Sequence, residues 1–428
     1  MFQPTLETMP RDELEALQLK RLRVTVDRLR AGSPYMAAKL GKLTSADLHS
    51  VADVAKLPLT VKSDFRDNYP FGLFCVPQKD IVRLHASSGT TGKPTVVAYT
   101  KNDLDMWSDC VARLVAAVGV TPEDTVQIAF GYGLFTGAFG LHYGLEKLGC
   151  TIIPMSAGNT DKQLMLMEDF APTVLVATPS YAVYLSEMIR ERGLRDKIKL
   201  RVGLLGAEGC TPEMRAHIEQ NTGMVATDNY GMSELLGPGV SGECIHRCGL
   251  HVNEDHFLAE IIDPVTEQPL PPGAEGELVV TSLSKEALPV LRYRTRDITR
   301  LNYETCACGR TFVRMDKIRG RSDDMLIIKG VNVFPSQIES VLMVMEHIAP
   351  HYLLTVRREG YMDSLEVGVE LADGQLLERF SELEKLQNRV RASLHSILGL
   401  DTKVTLHSPG TFERFQGKAK RVLDLRNQ

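Results

Sequence analysis

Residues 87–94 read Ser87-Ser88-Gly89-Thr90-Thr91-Gly92-Lys93-Pro94, the stretch of this chain best suited to chemistry. Small hydroxylated residues and glycines cannot build a core, but they can expose consecutive backbone N–H groups. Such a run, with hydroxyls and a closing ammonium, suits a triphosphate. Residues 81–85 before it and 95–99 after it both read as strands, so the loop is predicted to be a strand-to-strand turn. The familiar phosphate loop instead runs from a strand into a helix and follows Gly-Lys with Ser or Thr. Here Pro94 removes both that metal-binding hydroxyl and an N–H. The pattern therefore predicts a nucleotide site of a kind other than that of GTPases and P-loop ATPases.

Further segments bear on what that loop does. Gly206-Ala207-Glu208 follows an apolar strand, and Asp228-Asn229-Tyr230-Gly231-Met232-Ser233-Glu234 comes next. Then come Tyr293-Arg294-Thr295-Arg296-Asp297, the polar run Gly320-Arg321-Ser322-Asp323-Asp324 with Lys329-Gly330, and Gln416-Gly417-Lys418-Ala419-Lys420-Arg421. In this order they resemble the adenylate-forming superfamily of acyl-CoA synthetases and carrier-loading adenylation domains. Residues 132–137, 285–289 and 320–335 carry a narrower resemblance, to the phenylacetate-CoA ligase family, and it covers essentially the whole chain.

The resemblance implies a role for each segment. Asp297 matches the carboxylate that accepts two ribose hydroxyls; the ordinary alternative is a salt-bridged aspartate between arginines. Tyr230 matches the aromatic that stacks on adenine, and Glu234 the carboxylate that helps hold Mg2+. The backbone at Gly206, Ala207 and Glu208 is expected to face the nucleotide. The family commonly has proline after this glutamate, whereas this chain has Gly209. Lys418 matches the catalytic lysine, since a fixed ammonium stabilises the charge that builds when a carboxylate attacks the α-phosphorus. Lys420 is its rival. Asp323 matches a hinge, Arg321 a nucleotide partner, and Gly330 the wall of a pantetheine tunnel where a missing side chain lets a thiol pass. Tyr132 and Phe139 are the candidates for an aryl-acid pocket; the alternative is that they are core.

Cysteine usage separates two groups among the eight. Cys75, Cys110, Cys150 and Cys210 are scattered and read as small buried hydrophobes. Cys306-Ala307-Cys308-Gly309 forms a tight pair, and Cys244 lies close before His251, a Cys3His set suited to closed structural Zn2+. His246 and Cys248 are rival ligands. Part of the family carries this pattern and part lacks it, which implies a clamp rather than a catalytic metal.

The remaining sequence must position these groups. Residues 11–30 are amphipathic, and between 120 and 210 short apolar strands alternate with helical stretches, predicting an α/β sheet with helices on both faces. After Gly231 the texture turns β-rich. A boundary at Asp323 divides a large adenylation domain (1–322) from a small mobile α+β domain (323–428). In its helix at 376–398, Leu377, Phe380, Leu383, Leu386, Val390, Leu394 and Ile397 form the predicted stripe.

The 428 residues are 43% hydrophobic and 24% charged, with a formal charge of −5, which argues against nucleic acid held by a basic surface. No apolar run nears the roughly 18 residues of a membrane span, and the first residues lack a secretory pattern, so a cytoplasmic protein is expected. The leading expectation is an AMP-forming aryl-CoA ligase using ATP, Mg2+ and CoA, with phenylacetate as its acid and a homodimer suggested by the resemblance. Other aryl acids (a benzoate or indoleacetate) or a carrier protein are alternatives within the superfamily. A non-catalytic, zinc-clamped nucleotide binder is the alternative from another class; Lys418, Asp297 and Glu234 together argue against it.

Overall fold

The computed structural model describes residues 1–87, 94–322, 326–328, 331–359, 362–414 and 421–426. It divides into two compact units. The first comprises Met1–Ala177, Ile198–Ala207 and Val225–Ile318; the second comprises Thr178–Lys197, Glu208–Met224 and Arg319–Gln428.

The first unit begins with the amphipathic helix Arg11–Gly32, whose Leu14, Leu22, Val26 and Leu29 are buried. Strands β1 (Arg83–Ala86) and β2 (Val96–Tyr99) pair antiparallel as a hairpin, the arrangement that the predicted strand-to-strand connection requires. Next come β3 (Thr125–Ile128), β4 (Thr151–Ile153), β5 (Val174–Ala177), β6 (Val202–Gly206) and β7 (Val225–Met232). These pair in parallel in the order β4-β3-β5-β6-β7. β5 and β6 are buried throughout, which explains why they read as unbroken apolar runs rather than alternating ones.

At β7 the sheet changes character. β8 (Gly237–Gly242), β9 (Leu250–Val252), β10 (Phe257–Ile262), β11 (Glu275–Ser282), β12 (Tyr293–Asn302) and β13 (Arg314–Met315) continue it antiparallel, in the order β7-β8-β9-β13-β12-β11-β10. The carboxyl end of a parallel strand next to such a change of direction is where open sheets bind ligands, because the connections diverge there.

In the second unit a sheet orders strands Lys403–His407, Met362–Leu371, Ile348–Glu359 and Val422–Asp424, against helices Pro335–Met343 and Phe380–Leu398. The helix differs from the predicted stripe at both ends. Leu386, Val390, Leu394 and Leu398 are buried, whereas Leu377, Phe380 and Ile397 are exposed. A 3-10 turn occupies Gly374–Glu378, so the α-helix starts later and its buried row runs at a strict spacing of four. Cys110, Cys150 and Cys210 are buried as expected, but Cys75 is only half-buried. The boundary expected at Asp323 falls outside the described residues.

Candidate active site

The two motif-bearing parallel strands end side by side. Gly206, the last residue of β6, pairs with Asn229 on β7. A Cβ at Gly206 would lie 2.8 Å from the Asn229 carbonyl oxygen, so this register needs glycine. Ala207 follows with φ +73°, a left-handed turn that carries the chain away from the strand end. The pairing of β7 with β8 slips between Tyr230 and Gly231, a bulge that turns Tyr230 out of simple alternation.

The Tyr230 hydroxyl donates to Oδ2 of Asp297 at 2.6 Å, joining residues 67 positions apart. Asp297 is buried on β12. Its neighbours Arg294 and Arg296 both pair with Glu277, and Arg294 does so through two nitrogens. The cations flanking it in sequence are thus drawn to Glu277. Arg296 has φ +68°, the kink that sets Asp297 apart from the regular ladder. The predicted adenine and ribose residues therefore meet.

Glu234 follows the strand in a turn and is 5% exposed, with the Lys62 ammonium 4.0 Å from its carboxylate. Ser233 meets the hydroxyl of Thr136 at 3.1 Å. That contact ties the β7 motif to the segment holding Tyr132 and Phe139. These two rings meet edge to face at 5.2 Å, and Tyr132 Oη lies 2.8 Å from His142 Nδ1. Phe139 also approaches the His85 ring at 5.6 Å, and Arg83 lies over both Phe139 and Tyr143. Tyr132 and Phe139 are half-buried members of one aromatic cluster, and burial raises the Tyr132 phenol well above its ordinary range.

The hairpin is locked at its neck. The Ser87 N–H donates to the Thr95 carbonyl, and the Thr95 N–H donates to the Ser87 hydroxyl. Its base is bound to the aromatic segment through Ala86 N–H and His85 Nδ1, both on the Leu134 carbonyl. Ser88, Gly89, Thr90, Thr91, Gly92 and Lys93 lie outside the described residues, as do Asp323, Gly330 and Lys418. In the second unit, Arg414 grips Glu370 through two nitrogens and Arg421 pairs with Glu339 and stacks on Tyr352. These anchors stand at either end of residues 415–420. Glu208, also in this unit, spends its carboxylate on the Ser180 N–H at the start of helix Pro179–Glu191. The Asp228 N–H donates to the Glu243 carboxylate, and Arg321 is half-buried on strand Gly320–Arg321.

The expected metal ligands also converge. Cys244, His251, Cys306 and Cys308 place their ligand atoms within 4.8 Å of one another. Cys244 Sγ is 3.7 Å from Cys306 Sγ, and Cys308 Sγ is 3.4 Å from His251 Nε2. A tetrahedral Zn2+ with bonds of about 2.3 Å to sulfur has edges of about 3.8 Å, close to the two separations just given. His251 Nδ1 lies 3.3 Å from the Phe312 carbonyl, the outer bond that leaves Nε2 to ligate. Burial, aided by the Arg310 cation, lowers His251 to about 4 and keeps its ring neutral. Of the rivals, Cys248 is exposed but lies 3.5 Å from Cys306, while His246 is exposed and outside the set.

Comparison with known proteins agrees with this geometry. Residues 19–284 match the AMP-binding enzyme family, and residues 330–426 match the AMP-binding enzyme C-terminal domain. A phenylacetate-coenzyme A ligase of Thermus thermophilus is 47% identical, with 100% of both chains covered. Its counterpart in Escherichia coli is 48% identical over 99% of this chain and 97% of that relative. The chain belongs to the phenylacetate-CoA ligase family. A solved 2-hydroxyisobutyryl-CoA ligase in the postadenylation state, with R3-HIB-AMP, superposes with TM-score 0.93 at 27% identity, covering 99% of this chain and 92% of that one. The fold is thus that of adenylate-forming enzymes, as the motifs implied.

Three groups in this phenylacetate-CoA ligase family member escaped sequence reasoning. Lys62 sits in a helix-start segment with no distinguishing pattern. Thr136 was visible only as part of an aromatic and glycine run. Lys285 is 0% exposed, and its stretch 285–289 was singled out only for the family resemblance, with no role given to the lysine. Burial lowers it to about 8 while Asp103 and Glu234 oppose that shift.

Proposed function

We propose that this protein is an AMP-forming phenylacetate-CoA ligase. One observation carries the assignment of its site: the Tyr230–Asp297 bond at 2.6 Å, which brings two sequence motifs together at the carboxyl end of β7. Full-length identity to phenylacetate-CoA ligases supports the choice of acid. The aromatic cluster of Tyr132 and Phe139 is of a kind to accept a flat ring, and Thr136 connects it to the β7 motif.

In the reaction, a carboxylate oxygen of the acid bonds to the α-phosphorus of ATP and pyrophosphate leaves. The thiol of CoA, losing its proton, then bonds to the acyl carbon, and AMP leaves. Asp297 orients the ribose and Tyr230 covers the adenine. Residues 87–93 bind the outer phosphates, and Lys418 neutralises charge on the oxygens around the α-phosphorus. Arg321, Asp323 and Gly330 serve the change between half-reactions and the path of the thiol.

Glu234, a buried carboxylate beside the Lys62 ammonium, is a hard oxygen donor of the kind magnesium takes together with phosphate oxygens. When bound, the ion supplies charge neutralisation on the phosphates. Cys244, His251, Cys306 and Cys308 would hold structural zinc, with four ligands filled and no position left for substrate. The reaction consumes ATP and CoA, so a cytoplasmic location belongs to the same proposal.

The test is pyrophosphate release across a panel of aryl acids, with and without CoA. Phenylacetate should give the highest kcat/KM and a CoA-dependent thioester. A benzoate or indoleacetate ahead of it would reassign the acid, and adenylate formation without transfer to CoA would favour a carrier protein.

A further inference from the structure

Lys285 is wholly buried, and its ammonium makes no hydrogen bond among the described residues. Such a charge is costly unless its surroundings compensate it. Its position is fixed from the side of Asp103, whose carboxylate accepts the N–H groups of Glu286, Ala287 and Thr100 at 2.6, 2.9 and 2.9 Å. The ammonium then sits 4.7 Å from the centre of the Tyr99 ring. Cation–ring attraction of this kind is strongest where water is excluded, and Tyr99 is 0% exposed.

Tyr99 is also stacked on Trp107, at 5.0 Å and 13°. Both rings hold the backbone that follows Glu234. The Tyr99 hydroxyl donates to the Leu236 carbonyl at 2.7 Å, and Trp107 Nε1 donates to the Pro238 carbonyl at 2.6 Å. Gly237 between them has φ +112°, and a Cβ there would fall 2.5 Å from the Trp107 ring. Tyr99 is also the last residue of β2, so the same stack reaches the hairpin that carries residues 88–93.

We propose that Lys285 is a positioning residue for adenylation: its buried ammonium holds Tyr99, and through it the Leu236 carbonyl, so that the Glu234 carboxylate is presented in one place to the magnesium of MgATP. The proposal rests on the reading of Glu234 given above. Lys285 itself touches neither nucleotide nor acid. A neutral side chain of similar length would fill the space but would not bind the ring face or balance the nearby carboxylates.

The experiment uses the full chain with Lys285→Met, Lys285→Arg and Tyr99→Phe. Phenylacetate-dependent ATP–pyrophosphate exchange is followed while free magnesium is titrated. Lys285→Met should raise half-saturating magnesium about tenfold, and Lys285→Arg should hold the shift below about threefold. Tyr99→Phe, which breaks only the Leu236 bond, should shift it in the same direction as Lys285→Met. Thioester formation from supplied phenylacetyl-adenylate and CoA should stay within about twofold of wild type in all three variants. An unshifted magnesium curve in folded Lys285→Met, or equal loss in both half-reactions, overturns the proposal. If Lys285→Met does not fold, an unshifted curve in Tyr99→Phe overturns it. Absence of exchange in the wild-type chain overturns the functional reading and this proposal with it. That result is distinct from exchange that is present and indifferent to Lys285.

Discussion

Replacing Tyr230 by phenylalanine tests the bond to Asp297. The ring that is to stack on adenine stays, and only the hydroxyl that reaches Asp297 at 2.6 Å is removed. The acceptor is a carboxylate, and Asp297 is 5% exposed, so water cannot easily replace the lost donor. A hydrogen bond to a charged group contributes about 1.5–3 kcal/mol. At about 1.4 kcal/mol per tenfold, losing it from the nucleotide-bound state should cost about tenfold or more in kcat/KM for ATP. The loss should appear mainly as a raised KM for ATP, because ribose contacts change little between ground and transition states. Asp297→Asn should weaken ATP use as well, and combining the two changes should cost less than their sum. The assay is phenylacetate-dependent pyrophosphate exchange as ATP is varied, with melting curves to confirm folding. An unchanged KM for ATP in Tyr230→Phe, or strictly additive effects in the double variant, would refute the reasoning.

The other predictions address separate parts of the molecule. Lys418→Ala should abolish adenylate formation yet spare thioester formation from supplied phenylacetyl-adenylate; equal loss in both assays would remove the role assigned to it. Asp323→Pro should spare adenylation and harm thioester formation, and survival of both half-reactions would contradict a hinge there. Cys306→Ser should lower zinc content measured by mass spectrometry and reduce Tm by more than about 5 °C, while kcat stays within about threefold. A zinc-free wild type with normal melting would dismiss the clamp. Burial works to raise Glu187, but bonds from His217 and His351 prevail and lower it from 4.5 to about 2. Its folded-state pKa is depressed, so its stabilisation is present above about 4.5 and is lost as pH falls toward about 2. Glu187→Gln should remove up to about 3 kcal/mol of that acid-side dependence in denaturant titrations. A variant whose pH profile overlays wild type would contradict it.

Local grammar was legible where side chains alone dictate the outcome. The pairing of β1 with β2 and the parallel strands follow from turn residues and apolar runs. The convergence of Cys244, His251, Cys306 and Cys308 was legible because thiols and imidazoles clustered in polar segments have few other uses. The contact between Tyr230 and Asp297 was not, because it depends on sheet order: β8, β9 and β13 stand between their strands. The helix stripe failed at its start because a 3-10 turn precedes the α-helix, and at its end because the buried row reaches Leu398 instead of Ile397. Residues 285–289 carried the family resemblance, but nothing local to them assigned Lys285 a burial or a role. Only the Tyr99 face and the Asp103 carboxylate, brought from distant sequence, explain its burial.

The proposed function requires that this site adenylate phenylacetate before passing it to CoA. Its most direct test is exchange of labelled pyrophosphate into ATP by the purified chain, in the absence of CoA. Exchange should require both phenylacetate and Mg2+, and phenylacetyl-CoA and AMP should form in equal amounts once CoA is added. Exchange that proceeds equally without any acid, or thioester formation with ADP rather than AMP as product, would contradict it.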